Sequence, residues 1–294
     1  MIVFKRLNAC TLDEAVLAYN RGYEGYFFDQ TKTADSLAHK IGKEELSPSH
    51  SIVAFYDGEP VGIVLNGIWQ RDGKKVAWNG GTGVAPAFRG KGVGRSLMEE
   101  TLAIYREADV EQAALVAVKE NETAIALYEK VGYRVVGQSI FLESQSSLLP
   151  FHEESAGDYP VEQAGVQDLY GLAVWPKPIW DIQWQSIENR EALVVRGENG
   201  QAIGYALYRR LYDEQGQPAT TLLFHCAADP MRHDTEAIIR CALSHAFDPL
   251  DASLHRLTVN YPAADEQVLA ILREAGFGRM AEQVFMVREK MTNS

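Results

Sequence analysis

Cysteine is scarce in this 294-residue chain: Cys10, Cys226 and Cys241 stand far apart, and none forms a CxxC pair. That excludes a disulfide framework and points to a reducing compartment, the cytoplasm. No apolar run reaches the roughly 18 to 20 residues that cross a bilayer as a helix. The opening MIVFKRLNA also lacks the basic-then-apolar order of a secretory leader, so no membrane is expected. Positive charge is short as well, with 28 Lys and Arg against 40 Asp and Glu, a net charge of -12. Long polyanions need a basic face, so no nucleic acid is expected as a partner. The shortage is uneven. Residues 1–150 hold 16 basic against 19 acidic side chains (-3), and the rest 12 against 21 (-9), with Lys177 and Lys290 its only lysines. A small anionic ligand should prefer the first half, and a cationic one would be drawn to the acidic surface. The seven histidines form no HxxxH or HExxH pair, so no metal is expected, and a Gly-x-Ser-x-Gly elbow is missing.

What is present is ordinary globular material, 46% hydrophobic and 23% charged, at a length that suits two domains. The stretch from Ser144 to Pro160 is rich in Ser, Pro, Gly and charge, and the linker is placed there. Either side of it the same signals recur. A strand at 51–56, a turn at Asp57-Gly58-Glu59-Pro60 and a return strand at 61–65 are matched by 193–196, 198–201 and 202–207. Gly62 and Gly204 stand 142 apart, Pro86 and Pro230 144 apart, and Gly132-Tyr133 and Gly276-Phe277 144 apart. Three landmarks at near-equal offsets read as an internal duplication.

The strongest local signal is a glycine-rich turn. A strand at 76–85 leads through Pro86 to Arg89-Gly90-Lys91-Gly92-Val93-Gly94-Arg95, and a helical stripe of Val93, Leu97, Met98, Leu102, Tyr105 and Ala108 follows at once. Glycine removes side chains where backbone must approach a ligand. The first amides of a helix have no partner within it, and with the dipole they favour an anion. A diphosphate is the natural guest, helped by the charges of Arg89, Lys91 and Arg95. A Walker loop fails because Gly92, not Ser or Thr, follows Lys91; a Rossmann fingerprint fails because Arg95 stands where its third glycine belongs.

From Val84 through Met98 the sequence resembles motif A of the GNAT superfamily of acyl-CoA-dependent N-acetyltransferases, with Arg89, Gly92 and Gly94 meeting its (R/Q)xxGx(G/A) centre. Downstream, Asn121, Ala124, Leu127, Tyr128, Gly132 and Tyr133 resemble motif B. The resemblance covers residues 1–143, and the second half only through the internal repeat. It implies a mixed α/β fold: two tandem domains, each a central mixed, mostly antiparallel twisted sheet flanked by helices. Residues 1–148 would form the acetyltransferase domain and 156–294 a degenerate copy.

The resemblance also implies site roles. Gly83, Val84 and Ala85 would pair through their backbone with the pantetheine arm of acetyl-CoA, like an added strand. Arg89, Gly90, Lys91, Gly92, Val93, Gly94 and Arg95 would wrap its pyrophosphate. Asn121 would orient the arm, or serve as a helix N-cap, which needs the same residue type. Tyr128 would be the general acid for the departing thiolate, although its helical spacing also suits a core tyrosine. The base is not found. An alkylamine is neutral in about one molecule in 2500 at pH 7, roughly 4.6 kcal/mol to overcome. Family members place a Glu on strand four, but here that strand carries Trp78, Asn79 and Thr82 and no acid. A different acid such as Asp29 or Glu24, an acceptor amine that is already weakly basic, or a water chain stay open. A covalent route through Cys10, far from both motifs, is not expected.

Tyr19, Tyr23, Tyr26, Phe27 and Phe28 have helical spacing that suits a core, and the family places its acceptor wall in this region. Trp175, Trp180 and Trp184 are read as core. In the second half, the segment matching the glycine turn is Ala228-Asp229-Pro230-Met231-Arg232-His233-Asp234, without glycine. Leu272 replaces Tyr128 and Asp265 replaces Asn121. That copy is expected to bind no acetyl-CoA and instead to shape the acceptor pocket, support the first domain or form a homodimer surface. The expected activity is direct transfer from acetyl-CoA to a small primary amine in a ternary complex. A non-catalytic acyl-CoA sensor and a protein N-terminal or lysine acetyltransferase are the alternatives.

Overall fold

The computed structural model describes residues 1–71, 73–151, 159–169 and 190–289. In chain order the elements are β1 (Ile2–Arg6), α1 (Leu12–Gly22), α2 (Ala34–Lys43), β2 (Ile52–Tyr56), β3 (Glu59–Arg71), β4 (Lys74–Val84), α3 (Val93–Glu107), β5 (Gln112–Val118), α4 (Glu122–Lys130) and β6 (Arg134–Ser144). There follow β7 (Val161–Ala164), β8 (Glu191–Arg196), β9 (Ala202–Tyr212), β10 (Pro218–Ala228), α5 (Thr235–Ala246), β11 (His255–Thr258), β12 (Tyr261–Pro262), α6 (Glu266–Glu274) and β13 (Gly278–Glu289). The fold class is the one expected, mixed α/β with mostly antiparallel pairing. Trp175, Trp180 and Trp184 lie outside the described residues. The chain forms two compact units: Met1–Val136 with the segment that begins at Val284, and Gly137–Gln283.

In the first unit the strand order is β1-β2-β3-β4-β5, continued by the C-terminal part of β13. The helices start where local chemistry dictates. Thr11 caps α1 in a reciprocal box, accepting from Glu14 N at 3.1 Å while Glu14 accepts from Thr11 N at 2.7 Å; Thr33 and Ser36 do the same for α2. The apolar stripe of α3 (Val93, Leu97, Met98, Leu102 and Tyr105) is buried against Ile52, Val64, Ala77 and Leu115, and Val284 and Met286 of β13 complete the same core. The polar atoms inside are partnered: Tyr105 donates to Asn66 Oδ1 at 2.6 Å, and Asn66 Nδ2 donates to His50 O at 2.8 Å.

Two features of β4 prepare the site. Its antiparallel register with β3 jumps between Leu65↔Gly81 and Asn66↔Asn79, so Gly80 is an extra, bulged residue. Its parallel register with β5 runs only from Val76↔Gln112 to Asn79↔Leu115. Beyond Asn79 the strands part, and the edge of β4 from Gly80 to Val84 has no β5 partner.

The second unit repeats this plan in the order β6-β11-β10-β9-β8-β7, with β12 against β6. The register of β10 with β9 jumps between Leu223↔Tyr208 and His225↔Leu207, which leaves Phe224 as the extra residue, 144 after Gly80. The parallel pairing of β10 with β11 stops at Leu223↔Thr258. Leu148 and Phe151, in the stretch whose composition reads as linker, are buried in this unit's core with Phe247 and Leu243.

Candidate active site

The turn before α3 is built as an empty cradle. Gly90 and Gly92 adopt left-handed φ of 72° and 85°, and a Cβ added at either would meet nothing within 4 Å. Gly92 is the N-cap of α3, and neither a side-chain cap nor an acidic residue is found in the first turn. Ser96 N donates to Gly92 O, the first bond of the helix. Among the described residues, the amides of Gly90, Lys91, Gly92, Val93, Gly94 and Arg95 have no acceptor in the protein. Gly94 keeps the helix start close to its neighbours, since its Cβ would lie 3.3 Å from Leu127 Cδ2 of α4 and 3.7 Å from Val84 Cγ2 of β4. The cradle, the end of β4 and the face of α4 therefore meet.

Arg89 sits here differently from the expectation. Its amide already donates to Pro86 O, so the run of free amides begins at Gly90. Its guanidinium donates to Val84 O at 2.8 Å, Gly22 O at 3.2 Å and Glu24 O at 2.7 Å. Arg89 thereby ties the end of α1 to the end of β4. That junction is tight, because a Cβ on Gly22 would stand 2.8 Å from the Gly83 carbonyl carbon. Arg95 pairs with Glu99 one turn on at 2.8 Å, and the Lys91 ammonium lies 5.9 Å from the Phe88 ring. Val84 is half-buried and Ala85 buried, and the Ala85 amide donates to Val61 O.

Tyr128 is buried on α4, with its phenol near Thr82 of β4. Burial pushes its pKa up, more than the nearby Thr82 hydroxyl pulls it down, so the group holds its proton at neutral pH. Thr82 is itself fixed by Asn79, whose Nδ2 donates to Thr82 Oγ1 at 2.8 Å. The Gly81 amide is engaged by Asn79 Oδ1 at 3.0 Å, which removes it as a free oxyanion donor. Asn121 caps α4 by accepting from Ala124 N at 3.2 Å, and its side chain lies near the Tyr26 phenol.

The aromatic residues after α1 divide. Tyr19 is buried and stacks on Tyr23 at 4.5 Å; Tyr23 meets Tyr26 edge-on at 5.2 Å. Phe27 and Phe28 are exposed, each edge-on to Tyr26 at 5.3 Å. An open cleft of about 650 Å³ is lined by Tyr23, Glu24, Tyr26, Phe27, Phe28 and Asp29, among others. Asp29, one of the two acids considered as base, accepts from Thr31 N at 2.8 Å, and its bonds to Thr31 lower its pKa. That is the wrong direction for a base. An acid that sequence reasoning missed lies closer to β4: Glu44, at the C-cap of α2, with Oε2 3.0 Å from where a Gly80 Cβ would be. Its only sequence signal is Lys40 one turn earlier, an ordinary surface pattern.

The matching region of the second unit is filled by the protein itself. Asp234 stands at the N-cap of α5, bonded to Arg232 at 2.7 Å and to the Tyr159 phenol at 2.9 Å, which holds its carboxyl well below the usual range. Where β10 and β11 part, the Tyr261 hydroxyl accepts from Cys226 N at 3.3 Å and lies 3.0 Å from Cys226 O and 3.2 Å from Asp265 Oδ2. A resident phenol satisfies the strand edge that is left free in the first unit. His225 packs against it, 2.8 Å from the Tyr205 phenol, and burial alone pushes its pKa down to about 4. The unfolded chain binds a proton at His225 below about pH 6.5 while the folded chain refuses it until about pH 4. Stability is therefore lost as pH falls through that window, by about 3 kcal/mol in full. Thermal melts between pH 7 and 4 should show this loss, and His225→Gln should flatten it.

Among the described residues no cluster could hold a metal ion, and no helix is long and apolar enough to cross a membrane. The bulged strand with its parted neighbour, present in both units, and the amide cradle of the first define a GNAT-type fold. Residues 14–133 match the acetyltransferase (GNAT) family. A mycothiol acetyltransferase from Propionibacterium freudenreichii subsp. shermanii is 28% identical over 130 residues, 44% of this chain and 42% of that protein, so the chain matches less than half the relative's length. Two solved structures share the fold over nearly the whole chain. A GCN5-related N-acetyltransferase from Sphaerobacter thermophilus is 14% identical with a TM-score of 0.69, covering 98% of this chain and 95% of its own. A tandem GNAT protein from the clavulanic acid biosynthesis pathway is 13% identical with a TM-score of 0.65, covering 100% of both.

Proposed function

We propose that the first unit moves an acetyl group from acetyl-CoA to an amine, a small primary amine, by direct attack in a ternary complex. The observation that carries this reading is the run of free amides from Gly90 to Arg95, set beside a parted strand edge, with the buried Tyr128 phenol near Thr82 on that strand. The amides and the α3 dipole hold the diphosphate. The open edge of β4 at Gly83 and Val84 pairs with the pantetheine arm, and the thioester is carried toward Thr82. Tyr128 then donates its proton to the thiolate as the C–S bond breaks. The second unit, its cradle replaced by Asp234 and its strand edge closed by Tyr261, takes no acetyl-CoA.

A calorimetric titration should find one acetyl-CoA site per chain, and CoA release should follow with an amine from a panel. Binding without release under any amine would favour a sensor over an enzyme. Tyr128→Phe should lower kcat on the order of 10²-fold while leaving the acetyl-CoA Kd within about twofold. Equal kcat in the variant would remove the acid role.

A further inference from the structure

We propose that Glu44 is the proton acceptor for the amine, a role that rests on the acetyl-transfer reading above. β4 carries no acid of its own, yet the space beside its bulge is not empty. A side chain grown from Gly80 would meet Leu46 Cδ2 at 2.8 Å and Glu44 Oε2 at 3.0 Å from its Cβ. A carboxylate brought in from the C-cap of α2 takes the place that a β4 side chain would fill.

Its delivery is fixed by the local chain. Glu44 N donates to Lys40 O to end the helix, Glu45 turns the chain at a left-handed φ of 50°, and Leu46 N closes back on Ile41 O at 2.8 Å. Lys40 Nζ holds the carboxylate at 2.5 Å, and the two side chains are only 18% and 24% exposed. The titratable groups that face it are Lys40 from α2 and Tyr19 and Tyr23 from α1; β4 offers glycine there. The charge of Glu44 strengthens the hold of both phenols on their protons, after the larger effect of burial. The Tyr23 hydroxyl lies 2.6 Å from where a Gly81 Cβ would stand. Glu44 and Tyr23 thus cover successive residues of β4, while Thr82, next along, turns to Tyr128 and Met98. The bulge at Gly80 lets Gly80 and Gly81 face the same side, and alternation resumes at Thr82, so a proton can leave the nucleophile on the α1–α2 side and reach the leaving group on the other.

The step balances. The acceptor enters as an ammonium and gives one proton to the Glu44 carboxylate, directly or through Tyr23, whose hydroxyl takes one proton as it gives one. The freed lone pair forms the C–N bond with the thioester carbonyl carbon. The C–S bond breaks, the sulfur takes the Tyr128 proton, and the second proton of the new nitrogen restores the phenol. Glu44 releases its proton to water. The sum is ammonium plus acetyl-CoA giving amide, CoA thiol and one proton.

The test compares wild type, Glu44→Gln and Glu44→Asp by CoA thiol release with 2-phenylethylamine, putrescine and glucosamine. Acetyl-CoA hydrolysis, with water as nucleophile, serves as the readout where none of these amines is turned over. Glu44→Gln should lower kcat on the order of 10²-fold and remove the acid limb of its pH profile. Glu44→Asp should keep that limb, and calorimetry should show the acetyl-CoA Kd unchanged in both. A Gln variant with wild-type kcat, with the limb intact, or with only KM raised would overturn the proposal. Wild type that binds no acetyl-CoA would instead remove the donor reading on which it rests.

Discussion

Gly92→Asp should abolish acetyl-CoA binding, with Kd weakened by more than about 10²-fold, while the first unit still melts cooperatively. The reasoning uses the same position twice. Gly92 is the N-cap of α3, where aspartate ranks among the preferred residues because its carboxylate accepts from the next free amides. Aspartate also tolerates the left-handed φ of 85° better than most residues. The left-handed φ still strains any side chain there, so a modestly lower melting temperature is expected, while the amides proposed to hold the diphosphate acquire a resident anion. One like charge about 4 to 5 Å away is worth roughly 3 to 4 kcal/mol at an effective dielectric near 20, and the diphosphate carries more than one. Calorimetry and a thermal melt on the same sample check both halves. A variant that binds like wild type would show that the cradle is not the donor site.

Met286→Asp should destroy the same activity from the far end of the chain. Met286 is 0% exposed on β13 and lies in the core of the first unit with Tyr128, Leu115 and Met98. Removing a buried side chain of this size costs about 2 to 5 kcal/mol, and burying an unpaired carboxylate adds several more. That matches or exceeds the whole stability of an ordinary domain. Acetyl-CoA binding should be lost together with the cooperative melt of the first unit. Met286→Leu, which nearly conserves volume, should keep both within about 1.5 kcal/mol.

Local signals were the legible ones. The glycine turn could be read because φ, capping and charge act within six residues, and the α3 stripe because burial repeats along one helix. The hairpins at Gly58 and Gly200 announced themselves through turn chemistry. The bulges at Gly80 and Phe224, 144 residues apart, carry the repeat into a feature with no residue signature of its own. Non-local placements left no trace. Nothing in Val284 to Glu289 marks it as completing the sheet of a unit whose other residues end at Val136. Glu44 reads as half of a helical ion pair until Gly80 is seen beneath it. Leu148 and Phe151 look like linker because their neighbours are Ser, Pro and charge, yet both are buried. Arg256 reads as a surface cation, but it is fully buried and donates to the carbonyls of Phe247, Ser146, Ala252, Leu254 and Pro249. The glycine turn and its left-handed φ were legible in advance; the placement of Glu44 depends on which helix end the fold brings against a strand.

The last strand also sets an order of events. A chain emerges from the ribosome amino terminus first, at about 5 to 20 residues per second, and domains commonly fold as they appear. Here residues 1–136 can be out for many seconds without the strand that closes their core, because the whole second unit, Gly137–Gln283, is made before Val284 and Met286. The first unit cannot close its core until Val284 and Met286 have been made, so a message cut short before Val284 should leave that core open.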